Sequence, residues 1–174
     1  LGVWTHILSV WSYIFGVWTY ILGFWTHILG LWTYILAGLK EGDEVITPVF
    51  TCTATSIPFL YMGVKIRFAD VDPETLNINV QHVRELINEK TKAIVPVHLF
   101  GQSANMEALM KLADANNLFV IEDNAQAIGA DYTFSDGVVK KAGTIGHIGC
   151  TSFFPSKNLG CYGDGGAIFT NDDD

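Results

Sequence analysis

From Gly42 onward, apolar positions recur in two rhythms, one of period two and one of helical spacing, separated by short polar links. GDEVITP (42–48) carries an apolar run ended by Pro48, which predicts a strand. TATSIPFLYMG (53–63) has helical apolar spacing. It opens near Thr53 or Ser56, accommodates Pro58 in its first turn and closes at Gly63. VKIRFADV (64–71) predicts a second strand, closed by Asp70 and Asp72 before a turn at Pro73. NVQHVRELINEK (79–90) predicts a helix capped by Asn79, with Val80, Val83, Leu86 and Ile87 on one face. KAIVPVHLFG (92–101) predicts a buried strand and a loop, NMEALMKLADANN (105–117) a helix, and LFVIED (118–123) another buried strand. A hairpin signal follows at Ser135-Asp136-Gly137. TSFFPSKNLG (151–160) then starts as a short strand and turns at Pro155. Alternation with short links predicts an α/β fold: a mostly parallel sheet covered by helices on both faces.

Residues 1–36 follow a different rhythm. LGVWTHI, LSVWSYI, FGVWTYI, LGFWTHI and LGLWTYI repeat in tandem every seven residues before Leu36, and all five tryptophans lie here. The unit is far shorter than those of solenoids. On a helix of about 100° per residue, Leu1, Val3, Trp4 and Ile7 share a broad face, with Gly2, Thr5 and His6 opposite. No charge occurs before Lys40, so the run also satisfies the length and apolarity of a membrane span. Composition opposes both, because Trp, Thr, Tyr, Ile and Val favour strands, and Gly16, Gly23 and Gly30 each weaken a helix by about 1 kcal/mol. His6 and His27 are six helical turns apart, too far to share an ion. Tryptophans at every seventh position also differ from a two-level interface belt. Membrane association of residues 1–38 is therefore an alternative, not the favoured reading.

Charge changes the list of partners. The chain has 174 residues and a net charge of −8, and its ten basic residues are scattered, which excludes a nucleic-acid backbone as a ligand. Cys52, Cys150 and Cys161 make neither metal spacing nor an even disulfide set, so reduced thiols in a cytoplasmic protein are expected. The N-terminus shows no secretory signal pattern.

The candidate chemistry centres on Lys157, the only basic side chain in SFFPSKNLGCYGDGGA (152–167). A lone loop lysine is ordinarily a solvated surface group, and an acid ending a strand is often a helix cap. Here Asp123 ends the 118–123 strand, where ligands of parallel sheets bind, and Ser152 lies five residues before Lys157. A lysine amine and a carboxylate able to hold a proton on a ring nitrogen are the two parts that pyridoxal phosphate needs. Gly160, Gly163, Gly165 and Gly166 allow close backbone approach. His98, near a strand end, is either a site acid or base or a hydrogen-bonded core residue. KKAGTIGHIG (140–149) lacks the strand-then-helix context of a dinucleotide loop, and Lys140 and Lys141 are expected to be a solvated pair.

At these residues the chain resembles the DegT/StrS family of sugar aminotransferases, fold-type I pyridoxal phosphate enzymes. The resemblance rests on GDEVITPVFTCTATS (42–56), FADVDPETLNIN (68–79), KAIVPVHLFGQSANM (92–106), VIEDNAQAIGA (120–130) and SFFPSKNLGCYGDGGAIFTND (152–172). It implies that Lys157 is the Schiff-base lysine, that Asp123 pairs with the pyridine nitrogen, that Gln126 contacts the ring and that Ser152 binds the phosphate. It also implies that Cys52 lies against the ring, where many relatives carry an aromatic residue. The implied activity is transfer of an amino group, from glutamate by analogy, to a keto group of a nucleotide-linked sugar, by a homodimer. Some relatives are dehydratases in which that lysine is replaced, commonly by histidine; Lys157 favours transfer. Residues 39–174 are expected to be part of the cofactor-binding domain. Residues 1–38 are expected to be a separate segment, a nucleotide repeat read into protein where the family carries a phosphate-binding Ser-Gly-Thr loop. With the family's second half also expected beyond Asp174, a non-catalytic, membrane-associated fragment is the alternative from another class.

Overall fold

Strands and helices alternate as the pattern predicts, and the computed structural model, which describes residues 37–163 and 165–172, gives their limits. The strands are β1 (Glu44–Pro48), β2 (Lys65–Ala69), β3 (Thr91–Ile94), β4 (Phe119–Asp123), β5 (Asp131–Thr133), β6 (Val139–Lys141), β7 (Ile148–Ser152) and β8 (Gly166–Thr170). The helices are α1 (Ile57–Tyr61), α2 (Val80–Leu86) and α3 (Met106–Asn116). Six strands form one sheet in the order β2-β1-β3-β4-β7-β8, and β5 and β6 form a separate hairpin. Every pairing in the large sheet is parallel except β7 with β8. The expected α/β architecture is present.

Alternation along each strand divides the core in two. Ile46, Ile94 and Val120 face one side, where Val83 of α2 and Met106, Leu109 and Leu112 of α3 cover them. Val45, Ala93, Ile121 and Ile148 face the other, against Leu39, Phe59 of α1 and Val64. Both faces are therefore buried, as near-continuous apolar strands require.

Several boundaries differ from the sequence reading. The helix expected over 53–63 is a 3-10 turn at Thr53–Thr55 followed by α1, with Pro58 in the first turn of α1. Proline there lacks the N–H that would continue the hydrogen-bonding of the preceding turn. The helix expected over 79–90 stops at Leu86, because Ile87 is extended. Its start is as expected: the Asn79 side chain accepts from the N–H groups of Gln81 (2.9 Å) and His82 (3.1 Å). Within 92–101 the regular ladder ends at Ile94, a single bridge joins Val97 to Asp123, and Leu99–Gly101 form a 3-10 turn. β8 adds an antiparallel edge that the pattern had not indicated. The hairpin turns at Gly137 (φ 86°) as expected. Lys140 and Lys141 are exposed, as expected; Lys141 also pairs with Asp131 at 2.7 Å, and Lys140 lies 5.9 Å from the centre of the Phe134 ring.

The heptad expectations fall on residues outside the described ones. Among the described residues, no helix is long and apolar enough to cross a membrane.

Candidate functional site at the strand ends

Parallel strands leave their C-terminal ends on one edge of the sheet, and the candidate residues gather there. Asp123 is the last residue of β4 and is half-buried. Its N–H donates to the Pro96 carbonyl (2.8 Å), and its own carbonyl accepts from the His98 N–H (3.0 Å). These bonds extend the β3–β4 pairing by a further step and fix the backbone from which the carboxylate projects. Oδ1 accepts from the Ala125 N–H at 3.1 Å. Oδ2 accepts from the Thr55 hydroxyl at 2.7 Å. Thr55 comes from the 3-10 turn after β1, so the loop that also carries Cys52 reaches the Asp123 carboxylate directly.

The remaining candidates lie at or after the C-terminal ends of β1, β4 and β7. Ser152 ends β7, the parallel neighbour of β4, two residues beyond the Asp123–Cys150 pair. Its Oγ accepts from the Phe154 N–H at 3.2 Å, which leaves the hydroxyl proton for another acceptor. Lys157 follows in the turn after β7, half-buried, with its N–H on the Phe154 carbonyl (2.8 Å). The base of that loop is closed by Phe153, which donates to the Gly165 carbonyl (2.7 Å) and accepts from the Cys161 N–H (2.8 Å). Gln126 lies in the turn after β4. Its Oε1 accepts from the Phe100 N–H at 2.7 Å and holds Phe100 at φ 54°. That left-handed conformation costs a non-glycine residue about 1–2 kcal/mol. Phe100 is 71% exposed and meets Phe50 edge-on, with ring centroids 6.4 Å apart. With Oε1 committed, the NH2 end of Gln126 is the part that can face a ligand. Cys52 is exposed and borders an open groove of about 590 Å³ that includes Val49, Leu60 and Phe68.

His98 resolves as a core residue. It is fully buried; Nδ1 accepts from the Ala104 N–H (3.1 Å), so Nε2 carries the proton and donates to Glu122 (2.8 Å). Glu122 is the most heavily hydrogen-bonded acid beside the site. It also accepts from the N–H groups of Gly143 (2.7 Å), Ile145 (2.7 Å) and Gly146 (2.5 Å). Burial pushes its carboxyl upward, but the bonds from His98 and the backbone outweigh that and leave it below the ordinary range. The glycine-rich 143–146 segment thus wraps a protein carboxylate. The Cys150 thiol, buried next to the Asp123 charge, is pushed up to about 12.

Sequence reasoning missed Thr55 and Glu122. Glu122 had a usable signal, since two consecutive acids at a strand end must point to opposite faces and one must be satisfied inside. Thr55 had none, because its partner lies 68 residues away.

Comparisons with known proteins agree with the fold. A pleiotropic regulatory protein of Geobacillus stearothermophilus is 52% identical over 138 residues, covering 79% of this chain and 36% of that protein. A UDP-2-acetamido-2-deoxy-3-oxo-D-glucuronate aminotransferase of Pseudomonas aeruginosa is 48% identical over 137 residues, covering 79% of this chain and 37% of that protein. The solved aminotransferase from Psychrobacter cryohalolentis is similar with a TM-score of 0.77 at 39% identity, over 85% of this chain and 36% of its own. The chain therefore spans little more than a third of the curated relatives it matches. Residues 27–174 match the DegT/DnrJ/EryC1/StrS aminotransferase family, and the chain belongs to it.

Proposed function

We propose that this chain supplies the cofactor-binding part of an enzyme that moves an amino group from an amino acid, glutamate by family analogy, to a keto group of a nucleotide-linked sugar. The family is pyridoxal-phosphate-dependent. The donor set fits that group: a half-buried carboxylate, a serine hydroxyl with a proton to give and a lysine, all at the C-terminal ends of neighbouring parallel strands or just beyond them. The observation that carries the reading is the Asp123 carboxylate, fixed at both oxygens beside the strand that leads to Ser152 and Lys157.

When bound, the cofactor supplies an electron sink for a carbanion at the donor's α-carbon. Asp123 would accept the ring N–H and so keep the ring protonated. Ser152 would donate to the phosphate, Gln126 would offer its NH2 hydrogens to the ring, and Cys52 would lie at the ring face. Lys157 would hold the cofactor through its amine and, when that amine is free, would move a proton at the substrate's α-carbon. A nucleotide-sugar acceptor is supported by the Pseudomonas relative, whose name specifies a UDP-linked substrate. Assembly as a homodimer belongs to the same reading, on the family resemblance.

The test is to compare the wild-type chain with Lys157→Ala after adding pyridoxal phosphate and removing the unbound cofactor. The wild type is expected to develop cofactor absorbance near the visible edge, and the variant is expected to lack it. Equal absorbance in both proteins removes Lys157 from this role.

A further inference from the structure

We propose that Thr55, backed by Thr51, is the positioning residue that sets the direction in which Asp123 meets the cofactor ring; the inference rests on the cofactor reading above. A carboxylate at a strand end can rotate about both side-chain torsions, and a single hydrogen bond leaves much of that freedom. Here the two oxygens are held from two different elements. Oδ1 is held locally, by the Ala125 N–H at 3.1 Å. Oδ2 is held from 68 residues away, by the Thr55 hydroxyl at 2.7 Å.

The direction of the proton chain follows from counting. A hydroxyl has one proton, and an ionised carboxylate can only accept, so Thr55 gives its proton to Asp123. The 2.8 Å contact between Thr51 Oγ1 and Thr55 Oγ1 must then run from Thr51 to Thr55. Thr51 thereby fixes the rotation of the Thr55 hydroxyl, and Thr55 fixes Asp123. Thr55 is buried, and its β-branched side chain is stiff at χ1, so the donor does not wander. With Oδ2 and Oδ1 each using one acceptor position, the remaining lone pairs of Asp123 have a defined direction, which is what an acceptor for one ring N–H requires.

Three substitutions separate this role from packing. Thr55→Val keeps the shape and removes the donor, Thr55→Ser keeps the donor, and Asp123→Ala removes the group through which Thr55 acts. Cofactor dissociation constants are measured by absorbance titration of the full chain, with thermal unfolding of the cofactor-free proteins recorded alongside. Thr55→Val is expected to weaken cofactor binding about tenfold, the usual scale for a lost hydrogen bond to a charged group. Thr55→Ser is expected to bind within about threefold of the wild type. Adding Thr55→Val to Asp123→Ala is expected to produce no further loss. Wild-type affinity in Thr55→Val, or a further tenfold loss in the double variant, overturns the positioning role while leaving the cofactor reading intact. If Asp123→Ala itself binds as the wild type does, the cofactor reading fails, and this inference fails with it.

Discussion

Replacing Glu122 with glutamine tests whether the acid beside the site is structural. The Glu122 carboxylate is fully buried and accepts four hydrogen bonds, from His98 Nε2 and from the N–H groups of Gly143, Ile145 and Gly146. A glutamine amide oxygen accepts about two, and its NH2 group turns donors toward donors. At least two buried N–H groups are then left without partners, at about 1–3 kcal/mol each. The expected loss for two such groups is about 2–6 kcal/mol. That is a large share of a typical stability of about 5–15 kcal/mol. Urea unfolding of wild type and Glu122→Gln at neutral pH measures it directly. The pH dependence has a fixed sign. The folded carboxyl of Glu122 lies below its ordinary value, so its contribution is complete above about 4.3 and is lost as pH falls from there through the lowered folded value. The difference between the two proteins should therefore stay level from about pH 7 to 5 and shrink below about 4. A loss under about 1 kcal/mol at neutral pH, or a difference that widens in acid, would refute the argument.

Two further predictions concern separate parts of the chain. Asn79→Ala removes the cap that binds the Gln81 and His82 N–H groups, and should lower stability by about 1 kcal/mol in the same urea assay. A thiol reagent at neutral pH should label exposed Cys52 and Cys161 quickly and leave Cys150 unlabelled until the chain unfolds, since that thiol is buried and pushed up to about 12. Rapid reaction of all three thiols in the folded protein, read by mass spectrometry, contradicts the burial of β7.

The sequence made the architecture legible because its strands are nearly continuous apolar runs and its helices show one apolar face. Val45 and Ile46, Ala93 and Ile94, and Val120 and Ile121 each supply both faces of the sheet, which is the signature of a sheet buried on two sides. Boundaries were less legible where a local device competes with periodicity. Pro58 breaks an apolar spacing that otherwise reads as one helix, and Pro96 interrupts the regular ladder of a run that otherwise reads as one strand. Asp123 was legible as a candidate from its place at a strand end, where the structure puts it. Thr55 was not, because a hydroxyl in a loop carries no trace of a partner two strands away. His98 was ambiguous for a related reason: its role depends on Glu122 and Ala104, and only tertiary structure brings both of its ring nitrogens to partners.

The two consecutive acids at the end of β4 tie two separate loops to one strand end. A strand sends neighbouring side chains to opposite faces, so Glu122 and Asp123 cannot share a role. Glu122 turns toward the face covered by α3 and anchors the 143–146 segment that leads into β7. Asp123 turns toward the face of α1 and takes Thr55 from the loop after β1. Glu122 therefore tethers the entry to the strand that ends at Ser152 and precedes Lys157, whereas Asp123 tethers the loop that carries Cys52. Gly149 shows how closely the first of these tethers packs, since a Cβ there would run into the backbone carbonyl of Gly143. Glycine at 149 is thus required by the approach of the anchored segment to β7, and the same approach keeps Gly143 within reach of Glu122. The geometry at Asp123 and the route to Lys157 consequently depend on one another through the backbone of β4, even though no side chain needs to connect them.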